Sequence, residues 1–303
     1  MKLRLGTRGS PLALVQAQSV RHALLAAHGW GPDAVEIVEI RTTGDRVQDR
    51  ALAEIGGKAL WTKELDRALL GGEIDMAVHS MKDVETIRPD TIAVAAMLPR
   101  ADVRDRLIGA DSIDALPHGA RIGTSSPRRA AQMRRIRPDL SIVLLRGNVA
   151  TRKAKVAAGE ADATLLAAAG LDRLGEPNFG VAIPVDMMLP APSQGAVGVE
   201  VRADDLDTRM HLAAIAHPAT EACVWAERGV LAALAADCHS PVGALATLEP
   251  DGMRLRAEIL TEDGSEHVRV DRSGLAGTAH EAAQVAQDLL AGASPGLRSL
   301  FGH

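Results

Sequence analysis

At 303 residues, 47% hydrophobic and 24% charged, the chain has the size for two or three domains, each with its own core, and the composition of a soluble globular protein. A formal net charge of −5 and an aromatic content of 2%, with no tyrosine, exclude a nucleic-acid binder built on positive charge and stacking rings. No stretch approaches membrane-spanning length, and Met1 to Gly6 has no apolar export segment. Cys223 and Cys238 make neither a disulfide framework nor a zinc spacing, so a cytoplasmic chain with reduced thiols and no metal is expected.

Lys2 to Gly6 alternates as a short strand and runs into Thr7-Arg8-Gly9-Ser10-Pro11. Serine followed by proline is a helix start: serine caps, and proline suits the first turn because its missing N–H would be unpaired there. The apolar stripe Leu12, Leu14, Val15, Val20, Leu24 and Leu25 predicts a helix ending near His28-Gly29. Ala34 to Ile40 reads as a strand. The polar stretch Arg41 to Gly57, closing in Gly56-Gly57-Lys58, reads either as a mobile flap or as an ordinary surface loop. A helix over Trp61 to Leu70 and a buried strand over Asp75 to Val78 follow, with His79-Ser80-Met81-Lys82-Asp83 just past the strand's end. Lys82 beside Asp83 is either an exposed ion pair or a carboxylate set in a basic cleft. Ile92 to Met97 is another strand, and the charge-dense Pro99 to Asp105 is a candidate hinge.

Arg121 to Arg152 concentrates eight arginines against one carboxylate, Asp139. Arg121-Ile122-Gly123 reads as a strand end and Ser126-Pro127 as a second helix start. That puts Arg128 and Arg129 in a first turn, where a cation opposes the helix dipole. The arrangement predicts a bound anion; the competing reading is a solvated basic face, which suits Arg134, Arg135 and Arg137. Ser141 to Leu145 is the next strand, delivering Arg146-Gly147-Asn148 to another turn. Both turns fall at the carboxyl ends of parallel strands, where open α/β sheets bind ligands. Helix Val149–Ala158, strand Ala163–Leu166, a turn over Ala169 to Gly175 and a linker over Pro184 to Ser193 come next. A strand over Gln194 to Glu200 then returns to the first lobe. Helix Glu221 to Leu234, alternating strands at Arg254 to Leu260 and His267 to Val270, and a helix near Ala279 to Leu290 complete a small α+β domain.

Four segments together resemble one family: Thr7 to Leu14, His79 to Asp83, Gly123-Thr124-Ser125-Ser126 with Arg128-Arg129, and Arg146-Gly147-Asn148-Val149 with Arg152. Gly56-Gly57-Lys58, Ala169-Gly170-Leu171 with Arg173, and Gln194 to Gly198 extend the likeness, in order, over essentially the whole chain. It is similar to the porphobilinogen deaminases (hydroxymethylbilane synthases). The resemblance implies an α/β fold of two type II solute-binding-protein-like lobes plus a small α+β C-terminal domain. The implied boundaries are 1–98 with about 196–215, then 101–192, then 217–303. It implies a transferase that deaminates and condenses four porphobilinogens on a covalent dipyrromethane cofactor, releasing hydroxymethylbilane as a cytoplasmic monomer and handing it to uroporphyrinogen III synthase.

By the same resemblance Cys238 carries the dipyrromethane, and Lys82, Thr124, Ser125, Ser126, Arg128, Arg129 and Gln194 bind that cofactor. Arg8, Ser10, Lys58, Arg146, Asn148, Arg152 and Arg173 serve substrate. Asp83 is the catalytic carboxylate that stabilises the cation left by loss of ammonia. Guanidinium forks and helix N-termini suit the acetate and propionate arms of pyrroles. Pro127, Asp237, Glu54, Ala59 and Trp61 depart from the family pattern. The rival from another class is a two-lobed solute-binding module for a polycarboxylate or phosphate.

Overall fold

The computed structural model describes residues 2–41 and 62–302. The expected flap, with Glu54, Lys58, Ala59 and Trp61, lies outside the described residues apart from Arg41. The first elements are β1 (Leu3–Arg8), α1 (Pro11–His28), β2 (Val35–Ile40), α2 (Lys63–Leu70), β3 (Met76–Ser80) and β4 (Ile92–Met97). Next come β5 (Asp105–Ile108), β6 (Arg121–Gly123), α3 (Pro127–Ile136), β7 (Ser141–Val143), α4 (Val149–Ala157), β8 (Ala163–Ala167), α5 (Ala168–Arg173) and β9 (Val181–Ala182). The chain ends with β10 (Val197–Arg202), α6 (Leu206–Ala213), α7 (Pro218–Ala233), β11 (Val242–Glu249), β12 (Gly252–Leu260), β13 (His267–Leu275), α8 (Ala279–Gly292) and α9 (Pro295–Ser299). These divide into two compact units, residues 2–41, 62–101 and 195–221 in one, and 102–194 and 222–302 in the other.

The first unit holds a five-stranded sheet in the order β2-β1-β3-β10-β4. β1 runs parallel to β2 and β3, and β10 runs antiparallel to β3 and β4. The strand expected over Gln194 to Glu200 is therefore the return strand of this sheet, but it runs from Val197 to Arg202 and leaves Gln194 outside it. Helix α1 begins where the sequence places it: the Ser10 side chain accepts from the Ala13 N–H, and Gly29 closes the helix at φ 63°. Its Ala17, Val20 and Leu24 pack with Leu3, Leu5, Met76 and Val78, while Leu65, Ala68 and Leu69 of α2 form a second core with Ile74 and Ala77. Because both faces are covered, Met76, Ala77 and Val78 are buried consecutively rather than alternately. The end of β3 differs from expectation. β3 continues through Ser80, so His79 and Ser80 lie in the strand, and only Met81–Asp83 form the short 3-10 turn beyond it.

In the second unit the five-stranded sheet runs β7-β6-β8-β5-β9. β6 is parallel to β7 and β8, and β5 is antiparallel to β8 and β9, so strand order and direction repeat the plan of the first sheet. The same unit holds a three-stranded antiparallel meander, β11-β12-β13, whose core takes residues from α7, α8 and α9. Phe301 is the one aromatic side chain of that core among the described residues. The rest is aliphatic apart from Cys223 and Met253, and each fully buried Leu, Ile or Val contributes about 1.5–3 kcal/mol.

Three expectations are corrected here. Asp105, the last residue of the candidate hinge, is the buried first residue of β5. The stretch expected as a turn at Ala169 to Gly175 is largely helix α5. The expected linker is packed: Met188, Leu189 and Ser193 are buried, and the Leu189 carbonyl accepts from both Arg128 and Gln132.

Candidate active site

In the first unit, β1 ends at Arg8 and β3 delivers the turn that carries Asp83. Arg8, Ser10, Leu12, Ala13, Gln16, Val78, His79, Ser80 and Asp83 line one open recess there. Gln16, a buried polar residue on the apolar face of α1, donates to the Ser80 hydroxyl at 2.8 Å and ties the helix to the strand end. Asp83 is half-buried, and among the described residues nothing hydrogen-bonds or ion-pairs with its carboxylate. The Lys82-Asp83 surface ion pair, one of the two readings of that dipeptide, is therefore not formed.

The Asp83 turn is held from both sides. Met81 is fully buried, with its N–H on the Ala196 carbonyl at 3.1 Å, and the Val84 N–H returns to the Met81 carbonyl. At the far end of the loop Arg88 donates to both oxygens of Glu200, at 2.8 and 3.0 Å, and also to Glu85 and Asp66. Glu200 is fully buried, and His79 Nε2 lies 3.1 Å from its Oε2, the oxygen that Arg88 Nη2 also reaches. Burial pushes the Glu200 carboxyl up, but His79 and Arg88 outweigh it and hold the group at about 2. Burial is also the larger influence on Asp66, which stays above its ordinary value despite Arg88. The cluster is invisible in the sequence, because Arg88 and Glu200 are 112 residues apart.

In the second unit three turns follow the carboxyl ends of the neighbouring parallel strands β7, β6 and β8. After β6, Ser126 caps α3 by accepting from the Arg129 N–H, and the buried Thr124 hydroxyl accepts from the Ser126 N–H. After β7, Asn148 caps α4 by accepting from the Thr151 N–H at 2.9 Å. Gly147 precedes it at φ +119°, where an added Cβ would sit 2.6 Å from Thr151 Cγ2. Arg152 joins the two turns, donating to the Gly147 carbonyl at 3.0 Å and the Ser125 hydroxyl at 3.3 Å. Arg146 is buried beside them. After β8, Arg173 ends α5; its burial pulls the guanidinium below its usual value, with Asp172 opposing.

The expected anion beside Arg128 and Arg129 is first of all part of the protein. Both guanidiniums are buried, and Asp105 lies 2.9 Å from Arg128 Nη2 and 2.7 Å from Arg129 Nη2. Burial raises the Asp105 carboxyl, yet Arg128 and Arg129 together hold it well below the carboxylate range. Arg128 also donates to Gln132 and Leu189, Arg129 to the Leu165 carbonyl, and Gln194 Nε2 to Asp105 at 2.9 Å. The Nε–H of each arginine is buried and unpartnered. Asp105 carries no local sequence signal: it sits in the run of charges that reads as a candidate hinge. The other arginines of the run find partners of their own. Arg121 pairs with Asp162 and Arg137 with Asp139, both at the surface or close to it, while Arg134 and Arg135 donate to the carbonyls of Glu262 and Met187.

Cys238 is exposed and Cys223 is buried in α7. Helix α7 is followed by Ala235 at φ +51°, and the Ala236 N–H reaches back to the Leu231 carbonyl. The turn that presents Cys238 is then closed by Asp237, whose carboxylate accepts from the His239 N–H at 2.8 Å while its own N–H donates to Ser240. Asp237 thus supplies the turn through its side chain.

A family model described as "Porphobilinogen deaminase, dipyromethane cofactor binding domain" matches residues 3–210, and one described as "Porphobilinogen deaminase, C-terminal domain" matches residues 221–292. The chain is 59% identical over 310 aligned residues to a porphobilinogen deaminase of Sphingopyxis alaskensis, with 99% of this chain and 96% of that protein covered. It is 52% identical over 275 residues to a porphobilinogen deaminase of Paracoccus denitrificans, covering 90% and 88%. Among solved structures, an ABC-transporter periplasmic substrate-binding protein from Coxiella burnetii superposes with a TM-score of 0.44 at 16% identity, over 72% of this chain and 94% of that one.

Proposed function

The chain belongs to the porphobilinogen deaminase family, and from that premise we propose a role for each side chain of the site. The enzyme is a hydroxymethylbilane synthase, a transferase of tetrapyrrole biosynthesis that deaminates and condenses four porphobilinogens on a dipyrromethane cofactor. Family membership removes the alternative of a binding module for a polycarboxylate or phosphate.

Two observations fit the residues to a dipyrromethane. Cys238 offers an exposed thiol for a thioether, which the buried Cys223 does not. The Arg128–Arg129 pair carries two positive charges against the single Asp105 carboxylate, with an orphaned Nε–H on each side chain for an acidic arm. Arg128 and Arg129, with Lys82, Thr124, Ser125, Ser126 and Gln194, would hold the carboxylates of the group, and Cys238 its covalent end. When bound, that group supplies the free pyrrole α-carbon from which the chain of rings grows. Arg8, Ser10, Arg146, Asn148 and Arg152, with Lys58, bind the acetate and propionate of incoming porphobilinogen, and Arg173 takes those of later rings. Asp83 accepts a hydrogen bond from the pyrrole N–H of the reacting ring. Its negative charge stabilises the positive charge that develops as ammonia leaves.

The further reading is of three working parts: 1–98 with about 196–215, which carries Asp83; 101–192, which carries the arginines; and 217–303, which carries Cys238. The separate sheets and cores support it. Among the described residues no helix is long and apolar enough to cross a membrane. We take the enzyme to act as a cytoplasmic monomer that passes hydroxymethylbilane to a uroporphyrinogen III synthase.

The observation that carries the mechanism is the Asp83 carboxylate, lining a recess with Arg8 and Ser10 and hydrogen-bonded to none of the described residues. Its test is Asp83→Ala. We expect turnover to fall about 10³-fold or more while the thermal unfolding midpoint stays within a few degrees of the parent. Near-normal turnover by the folded variant would remove Asp83 from the role.

A further inference from the structure

Asp105 is a charged, fully buried group that the chemistry above does not use, and its surroundings are built around it. Gln194 donates to one of its oxygens at 2.9 Å and to the Val103 carbonyl at 2.8 Å. Gln194 follows Ser193, a non-glycine residue at φ +67°, a conformation that persists only when its neighbours enforce it. Glu227 is the enforcing group. Fully buried in α7, it takes the Ser193 N–H on one oxygen at 2.6 Å and the Ala246 N–H of β11 on the other at 2.8 Å. A continuous set of short hydrogen bonds thus runs from the α7–β11 core through Ser193 and Gln194 to Asp105, and from there to both guanidiniums.

The charge balance gives this arrangement a purpose. Two adjacent buried cations without a counter-ion are strongly destabilising, both by desolvation and by mutual repulsion. A second carboxylate would cancel them completely and leave nothing to attract an acidic ligand. One carboxylate in direct contact keeps the pair folded and leaves a net positive charge, because the buried Glu258, which meets Arg128 only through Gln132, is itself paired with Arg269 at 3.2 Å.

We propose that Asp105 is a built-in counter-ion that holds Arg128 and Arg129 in their ligand-binding geometry before the dipyrromethane is attached, and then shares those guanidiniums with the cofactor's carboxylates. This rests on the reading that the two arginines bind the cofactor. A shared partner means antagonism. Asp105 stabilises the apo-protein more than the holo-protein, because in the holo-protein the cofactor's own carboxylates supply negative charge to the same donors. A group that merely packed the interior would stabilise both forms equally.

The experiment compares thermal unfolding of full-length apo-protein, produced without porphobilinogen, with the same protein after reconstitution with porphobilinogen, for the parent and Asp105→Asn. Intact mass reports the gain of two porphobilinogen units less two ammonia. We expect the apo midpoint to fall on the order of 10 °C and the holo midpoint by less than half as much. Apo-variant that unfolds outright while its holo form stays folded is the same result at its limit. An equal fall in both forms overturns the proposal. If neither form of Asp105→Asn folds, Asp105→Glu, which keeps the charge but displaces it, is read by the same comparison, with the same asymmetry expected and an equal fall again decisive against. Failure of the parent itself to gain mass on Cys238 would refute the cofactor reading; a normal gain with equal falls refutes only the counter-ion.

Discussion

Gly198→Ala is a demanding test of how Asp83 is held. A Cβ built on Gly198 would lie 2.1 Å from Met81 Sδ and 2.9 Å from its Cγ. Ordinary van der Waals separation is about 3.5–4 Å, so the overlap to be relieved is roughly 1.5 Å. Met81 is fully buried and so has no solvent to swing into, and its backbone is tied to Ala196 and Val84. Relief must therefore move the Met81 backbone, and Asp83 lies two residues on. Overpacking of this kind costs about 1–3 kcal/mol, a fall in the unfolding midpoint of about 3–10 °C. A misplacement of about 1 Å in a catalytic group costs on the order of 10²-fold in rate. We expect the variant, checked by intact mass to be fully loaded, to lose turnover by about that factor. Met81→Ala in the same background should recover turnover tenfold or more by restoring space, with a stability loss smaller than the sum of the two single changes. Turnover within twofold of the parent in folded Gly198→Ala, or no recovery in the double variant, would refute the claim that Met81 under Gly198 sets the position of Asp83.

The remaining predictions concern the anchor and the buried charges. Cys238→Ser should abolish the dipyrromethane mass increment, while Cys223→Ser should load normally, because only Cys238 is exposed; peptide mapping distinguishes them. Glu200, held at about 2 against an ordinary 4.5, has a depressed folded-state value. Its stabilising contribution is therefore complete above pH 4.5 and lost as pH falls from there toward 2, a change on the order of 3 kcal/mol. Unfolding midpoints measured across that window should drop less steeply for Glu200→Gln than for the parent. Parallel curves would show that the His79–Arg88–Glu200 contacts do not depress the carboxyl.

The helix starts at Ser10-Pro11 and Ser126-Pro127 are readable from sequence because a cap is local chemistry: a side-chain oxygen reaches an N–H three residues on, whatever the rest of the chain does. The repeating strand-then-helix pattern likewise specifies α/β sheets, and apolar strands followed by arginine-bearing turns place those turns at carboxyl ends. Local pattern fails where burial is decided from a distance. Pro99 to Asp105 is dense in charge and reads as a hinge, yet its last residue, Asp105, is buried once β5 takes its place between β8 and β9. Pro184 to Ser193 reads as a linker because its prolines break local structure, although its carbonyls are needed by Arg128 and Gln132.

What this sequence determines unaided is the set of chemical groups: arginine-bearing turns on α/β sheets, a carboxylate just past a buried strand, and a thiol in a polar turn. Which charges remain available to a ligand is settled only by tertiary structure. The sequence sets Arg128 and Arg129 apart by their place in a first turn, but only the structure shows Arg121 and Arg137 matched by aspartates while Arg128 and Arg129 share one carboxylate contributed by β5. The difference is physical: an ion pair's worth depends on its distance, its geometry and the water it loses, and none of these is written in the order of the residues.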